Sequence, residues 1–197
     1  METCVINRPV RSTAPTVEPV SLDEAKKALG LPLDGSYHDD PLTTEIQTAR
    51  AMVEDDTGIV CLTGTYTLKL TDWPEESYFE LRGLRPVTSI TSIAYTAVDG
   101  TSTTWSSSYY SLDTAPVQPV IKLVYGQYWP TLRGDINGVT VTMVAGYATA
   151  AAVPAMVKEA VLCAVALNWK TKAGENTRGY QELYDRAVNR LGRATYP

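Results

Sequence analysis

The chain has 197 residues and is 44% hydrophobic, enough to bury one substantial core or two small ones. Its net charge of −5 and pI near 4.9 argue against a surface that grips nucleic acid or anionic membrane as a whole, so DNA binding would need a local basic patch. Cys4, Cys61 and Cys163 are scattered without Cys-x-x-Cys spacing, which suggests neither a disulfide framework nor a zinc site and fits synthesis in a reducing compartment.

Residues 1–18 carry Pro9 and Pro15 among Thr, Val and Arg and are expected to form an extended arm without signal-peptide character. Ser21-Leu22-Asp23-Glu24 has the spacing of a capping box, and the helix it opens should stop by Gly30. A second helix is expected after Asp39-Asp40, with Asp40 as cap, Pro41 in first position, and Leu42, Ile46, Ala49 and Val53 on one stripe up to Thr57-Gly58.

Between 61 and 145 the period changes. Tyr66, Leu68 and Leu70 alternate with Thr65, Thr67 and Lys69, which predicts a half-buried strand. Further strands are expected over 78–82, 87–97, 102–106, 109–112, 120–125 and 139–145, with Asp99-Gly100 as a hairpin turn and 126–138 as a long loop. The stretch 139–172 passes from a strand through Ala145-Gly146-Tyr147 into a helix near Pro154 that is apolar all round from Ala160 to Leu167, as a helix covered on every side would be. A last helix, capped by Asn176 or Thr177, places Tyr180, Leu183, Tyr184, Ala187, Val188 and Leu191 on one stripe and should stop at Gly192. The predicted class is therefore α+β: a helical domain of about four helices (19–60 and 146–197) with an inserted antiparallel β-sandwich or barrel-like domain (61–145).

Catalytic chemistry is sparse. His38 is the sole histidine and sits in a turn, no nucleophile motif accompanies it, and no Gly-rich phosphate loop occurs. Asp39-Asp40 and Glu54-Asp55-Asp56 could be read as a two-metal nuclease site, but they fall at the two ends of one predicted helix rather than across a cleft. No enzyme activity, metal or cofactor is expected. The segment 39–56 is acidic, with Arg50 its lone base, whereas the end of the chain carries Lys170, Lys172, Arg178, Arg186, Arg190 and Arg193; such opposed ends suit a stacked assembly.

Several stretches, in order, resemble phage head-tail connector proteins, the adaptor family of long-tailed phages and gene transfer agents. They are Pro19-Val20-Ser21-Leu22-Asp23-Glu24-Ala25-Lys26, Asp39-Asp40 with Ala49-Arg50 and Thr57-Gly58, Arg85-Pro86-Val87-Thr88-Ser89-Ile90 with Asp99-Gly100, and Gly126 with Trp129-Pro130. The most specific is Ala145-Gly146-Tyr147, then Val153-Pro154, then the apolar helix ending in Trp169. The resemblance covers 19–172. It implies helices with a β insertion, no enzyme activity, and a ring of about twelve identical subunits under the portal of a DNA-filled capsid. The partners it implies are the portal protein and head-closure, stopper or tail proteins, with double-stranded DNA passing through and no membrane; the location is the virion neck, after synthesis in the host cytoplasm.

By the same resemblance the last helix and tail would contact the portal, through Tyr180, Tyr184, Arg186, Arg190, Arg193 and Tyr196. Glu54, Asp55 and Asp56 are candidates to line the channel and repel DNA so that it slides. Tyr128, Trp129 and Arg133 are candidates for contact with a neighbouring neck component. The apolar helices are expected to need neighbouring copies to complete their burial. The competing reading is a β-domain module that recognises a carbohydrate or host protein through exposed aromatics such as Tyr109, Tyr110 and Trp129.

Overall fold

The structure is a computed structural model and describes residues 8–193, the side chain of Arg193 excepted. Cys4 and Tyr196 lie outside the described residues, as does most of the N-terminal half of the arm. The chain divides into two compact units, one made of 8–14 with Thr63–Gly146, the other of Pro15–Leu62 with 147–193. Together they hold four α-helices and two antiparallel sheets, an α+β fold.

In the helical unit, α1 (Leu22–Leu29) begins with the capping box: the Glu24 amide donates to Ser21 Oγ at 3.2 Å and the Ser21 amide to Glu24 Oε2 at 2.6 Å. The bond from the Ser21 amide, ahead of a smaller opposing effect of burial, holds the Glu24 carboxyl below its usual range. Gly30 ends the helix in the left-handed region at φ 69°, where a Cβ would be strained. The second helix, α2 (Asp39–Thr57), starts two residues earlier than expected. His38, not Asp40, holds the cap position and makes no side-chain cap bond, so Pro41 falls within the first turn, where its missing N–H leaves no bond unmade.

α3 (Ala155–Lys172) packs against α1, α2 and α4 (Arg178–Arg193). Every residue from Ala160 to Leu167 is buried or half-buried inside this one unit. That narrows the expectation that neighbouring copies must finish covering it: three helices of the same chain cover most of this stretch, and only Leu162 and Cys163 within it stay half-buried. α4 opens with the Arg178 amide bonded to Asn176 Oδ1 at 3.1 Å and continues through Gly192 to Arg193 instead of stopping there.

In the β unit the five-stranded sheet has the order β1 (Val10–Arg11), β2 (Gly64–Leu70), β8 (Val139–Ala145), β4 (Val87–Thr96), β5 (Ser102–Trp105). Tyr66, Leu68 and Leu70 lie opposite Met143, Val141 and Val139 of β8, and these opposite Ile90, Ile93 and Tyr95 of β4, so one face is continuous and apolar while Thr65, Thr67, Thr140 and Thr142 form the other. The end of the arm is the edge strand of this sheet: Val10 pairs with Thr67, and the Ser12 amide donates to the Thr65 carbonyl at 2.9 Å. A second, three-stranded sheet has the order β3 (Tyr78–Glu80), β7 (Val120–Leu123), β6 (Tyr110–Asp113). The sheets remain separate, so the barrel-like alternative does not hold.

Candidate functional site

Among the described residues no three His, Cys, Asp or Glu side chains are grouped to hold a metal ion, and no helix is long and apolar enough to cross a membrane. Asp39-Asp40 and Glu54-Asp55-Asp56 stand at opposite ends of the 19-residue α2, separated by roughly 21–26 Å at 1.5 Å per residue, which is incompatible with one two-metal centre.

The acidic end of α2 is built around Arg50. Its Nε donates to Glu18 Oε2 at 2.7 Å and its Nη1 to Glu54 Oε2 at 2.9 Å, and all three side chains are largely withdrawn from water. Burial alone would lower the Arg50 pKa, but Glu54 and Glu18 more than offset it and the guanidinium is held above its ordinary value. Glu54 Oε1 also accepts from the Cys61 amide at 2.9 Å, fastening the chain after Gly58 back onto the helix. Of the three acids proposed from sequence to face DNA, Glu54 is therefore a structural group of the helical unit. Asp55 and Asp56 are exposed, although Asp56 also accepts from the Tyr184 hydroxyl at 2.5 Å.

That hydroxyl shows what α4 does with its two faces. Tyr184 is 3% exposed and packs with Ala187 and Leu191 in the helical core, so it belongs to no docking surface. Burial, and then Asp56, push its pKa well above the ordinary tyrosine value. Tyr180 is half-buried against the same core. The outward face carries Leu183, Arg186 and Arg190, all exposed. Earlier in the helix Arg178 pairs with Glu182 at 3.1 Å and the Gln181 side-chain amide donates to Asp185 at 2.8 Å, but Arg186 and Arg190 have no ion pair among the described residues. The Arg193 side chain and Tyr196 lie outside the described residues.

The long loop of the β unit is held by aromatic rings. Trp129, proposed from sequence as a contact residue, is half-buried and stacks on Trp73 with centroids 4.8 Å apart and planes 9° apart. The two indoles lace their segments together: Trp129 Nε1 donates to the Glu76 carbonyl at 2.9 Å, and Trp73 Nε1 to the Pro130 carbonyl at 2.8 Å. Trp105 and Phe79 complete the cluster, which joins strands of both sheets. Tyr110, offered from sequence as an exposed aromatic, is buried against Trp105.

What this loop displays lies on either side of Trp129. Tyr128 is 85% exposed. Tyr125 is fully exposed at the corner of a turn closed by the Gln127 amide on the Val124 carbonyl at 3.0 Å, in which Gly126 supplies the positive φ. Arg133 is exposed and lies over Gly100, where a Cβ would come within 2.6 Å of Nη1. Sequence reading missed Tyr125 and the anchoring role of Trp73, although the repeated Trp-Pro pairs at 73–74 and 129–130 were a usable signal.

It also missed the loop 31–38. Lys26 is 3% exposed yet donates to the Gly35 carbonyl at 2.7 Å and meets Asp39 Oδ1 at 2.5 Å, holding the loop from beneath. The His38 ring sits edge-on between Tyr37 and Trp169, at 4.8 and 5.5 Å. Above these supports Leu33, Asp34, Tyr37 and Asp40 are exposed.

This fold occurs in known particles. The chain matches one from the virion of a native gene transfer agent (GTA) particle with a TM-score of 0.74 and 20% identity, covering 90% of this chain and 93% of that one. It matches another from the neck of an empty GTA particle computed with C6 symmetry (TM-score 0.73, 22% identity, 91% and 94% covered). A third is from the neck of a native GTA particle computed with C12 symmetry (TM-score 0.61, 21% identity, 85% and 92% covered). No protein-family model and no curated protein matches the sequence. At these identities the likeness is one of fold, extending over nearly the whole of each chain.

Proposed function

We propose that this protein is a structural component of a virion neck, a head-tail adaptor that assembles as a ring of about twelve copies below the portal and surrounds the path of the DNA. The observation that carries the reading is the near end-to-end likeness of fold to chains of GTA virions and necks, one of those necks computed with C12 symmetry. A protein of this kind needs faces rather than a cleft, and the described residues offer faces: the basic stripe of α4, the anchored loop with Tyr128 and Arg133, and the exposed acids Asp55 and Asp56.

In this reading Asp55 and Asp56 face the channel, where like charge keeps the duplex from adhering, while Glu54 holds the helix that presents them. Arg186 and Arg190 face a protein partner in the neck. Tyr128 and Arg133 face an adjoining neck component.

The experiment is reconstitution. Purified protein is added to tail-less, portal-bearing heads and imaged by electron microscopy. Ring density on the portal axis is the expected result. Density off the axis, solitary spikes on the shell, or no binding would sink the proposal.

A further inference from the structure

Two exposed patches on the helical unit complement each other in charge, and each sets apolar side chains beside charged ones. The loop 31–38 and the start of α2 expose Leu33 and Tyr37, at 49% and 89%, beside Asp34 and Asp40, which have no ion pair among the described residues. Apolar side chains left in water beside carboxylates offer a partner both an apolar contact and a charge to match. The supports beneath the loop, buried Lys26 and the His38 ring against Trp169, fix its conformation before any partner arrives, so little ordering cost is left to binding. The second half of α4 exposes Leu183, at 46%, in line with Arg186 and Arg190.

These patches sit at opposite ends of one bundle. The loop lies at the Trp169 end of α3. α4 turns back after Lys172 and runs along α3, and Tyr184 meets Asp56 at the far end of α2; Arg186 and Arg190 lie further on in the same direction. A surface cannot satisfy its complement on the same rigid unit across that length. A second copy can, and a contact between two different patches repeats from copy to copy until rotation closes it into a ring.

We infer that the Leu183–Arg186–Arg190 stripe of one copy seats on the 33–40 patch of the next, with Arg186 and Arg190 against Asp34 and Asp40 and Leu183 beside Tyr37. The inference rests on the ring reading above and names the partner of the α4 face as a second copy of this chain, not the portal.

The test uses the full chain. Tyr37→Cys/Leu183→Cys is oxidised in solution at rising concentration and on portal-bearing heads. A disulfide-linked ladder of multimers is expected from the double variant, whereas each single variant should give no ladder, which controls for the native cysteines. Separately, Arg186→Glu/Arg190→Glu should weaken copy-to-copy assembly by at least roughly tenfold, and adding Asp34→Lys/Asp40→Lys should restore it. All the substituted side chains are exposed, and circular dichroism checks that each variant keeps its helices. If wild-type rings form on heads but the ladder is absent, or the second charge reversal fails to rescue the first, this contact is overturned and the neck reading stands. If wild type forms no ring in solution or on heads, both fall together.

Discussion

The helical unit and the β unit solve different problems. The first is packed with Ala, Val and Leu around α3 and pairs the few charges it buries, with Arg50 between Glu18 and Glu54 and the buried Glu45 met by the exposed Lys172. The second builds two sheets and gathers its tryptophans at one place, where they hold an irregular loop rather than a regular element. A helix bundle fixes its own shape through repeating side-chain rows, so its ends and outer faces are left over for contact. The thirteen-residue loop from Gly126 to Gly138 has no such repeat, and large rings pin it from within alongside a few backbone hydrogen bonds such as that from the Arg133 amide to the Thr96 carbonyl.

The contrast breaks most sharply at Arg50. Arg50→Ala strands two carboxylates in a largely buried place, and the expected cost is about 3–5 kcal/mol in the denaturant unfolding of the helical unit. A loss under about 1 kcal/mol would mean that the charges are solvated and the unit relies on packing alone. Next in size is Trp129→Ala, expected to cost about 2–3 kcal/mol, below a fully buried tryptophan because the ring is only half-buried. Its diagnostic effect is local: amides of 126–138 should lose hydrogen-exchange protection while those of α3 keep theirs. Uniform loss in both units would erase the distinction drawn here.

The smallest effect sharpens the comparison through pH. Tyr184→Phe removes the bond to Asp56 and should cost about 1–2 kcal/mol at neutral pH. Because the folded-state pKa of Tyr184 is raised, its contribution is complete below the ordinary value of 10.0 and is lost as pH rises from there toward the folded value. Wild-type stability of the helical unit should therefore fall more steeply above pH 10 than that of the Phe variant, measured by chemical denaturation across that range. Parallel curves would show that the hydroxyl is not held as described.

Local features were legible because their causes are local. The Ser21–Glu24 box, the left-handed Gly58, the alternation of Val139, Val141 and Met143, and the Asp99-Gly100 hairpin all depend on neighbours a few residues apart, and all stand in the structure. Even there a bulged strand defeats simple counting, since β4 slips register between Val87 and Ser89 and again between Ile90 and Ser92. The surfaces were less legible. Glu54 reads as one acid in a cluster until Glu18, far back in the chain, is seen to share Arg50 with it, and Tyr184 reads as a docking tyrosine until Asp56 meets its hydroxyl. Trp129 reads as an exposed contact because its stacking partner is Trp73, on a separate segment. The loop 31–38 offered no motif at all: its order comes from a lysine that a sequence reader places in solvent.

The interleaving of the two units along the chain sets a timetable for synthesis. α1 and α2 leave the ribosome first, with Leu42, Ile46 and Val53 lacking the helix that will cover them, and 63–146 must be translated before α3 exists. At about 5–20 residues per second that interval lasts several seconds. The nascent helical pair must outlast it without being captured by another chain, until β8 pairs with β2, Gly64 opposite Ala145, and brings the two halves of the bundle within reach of each other as α3 emerges.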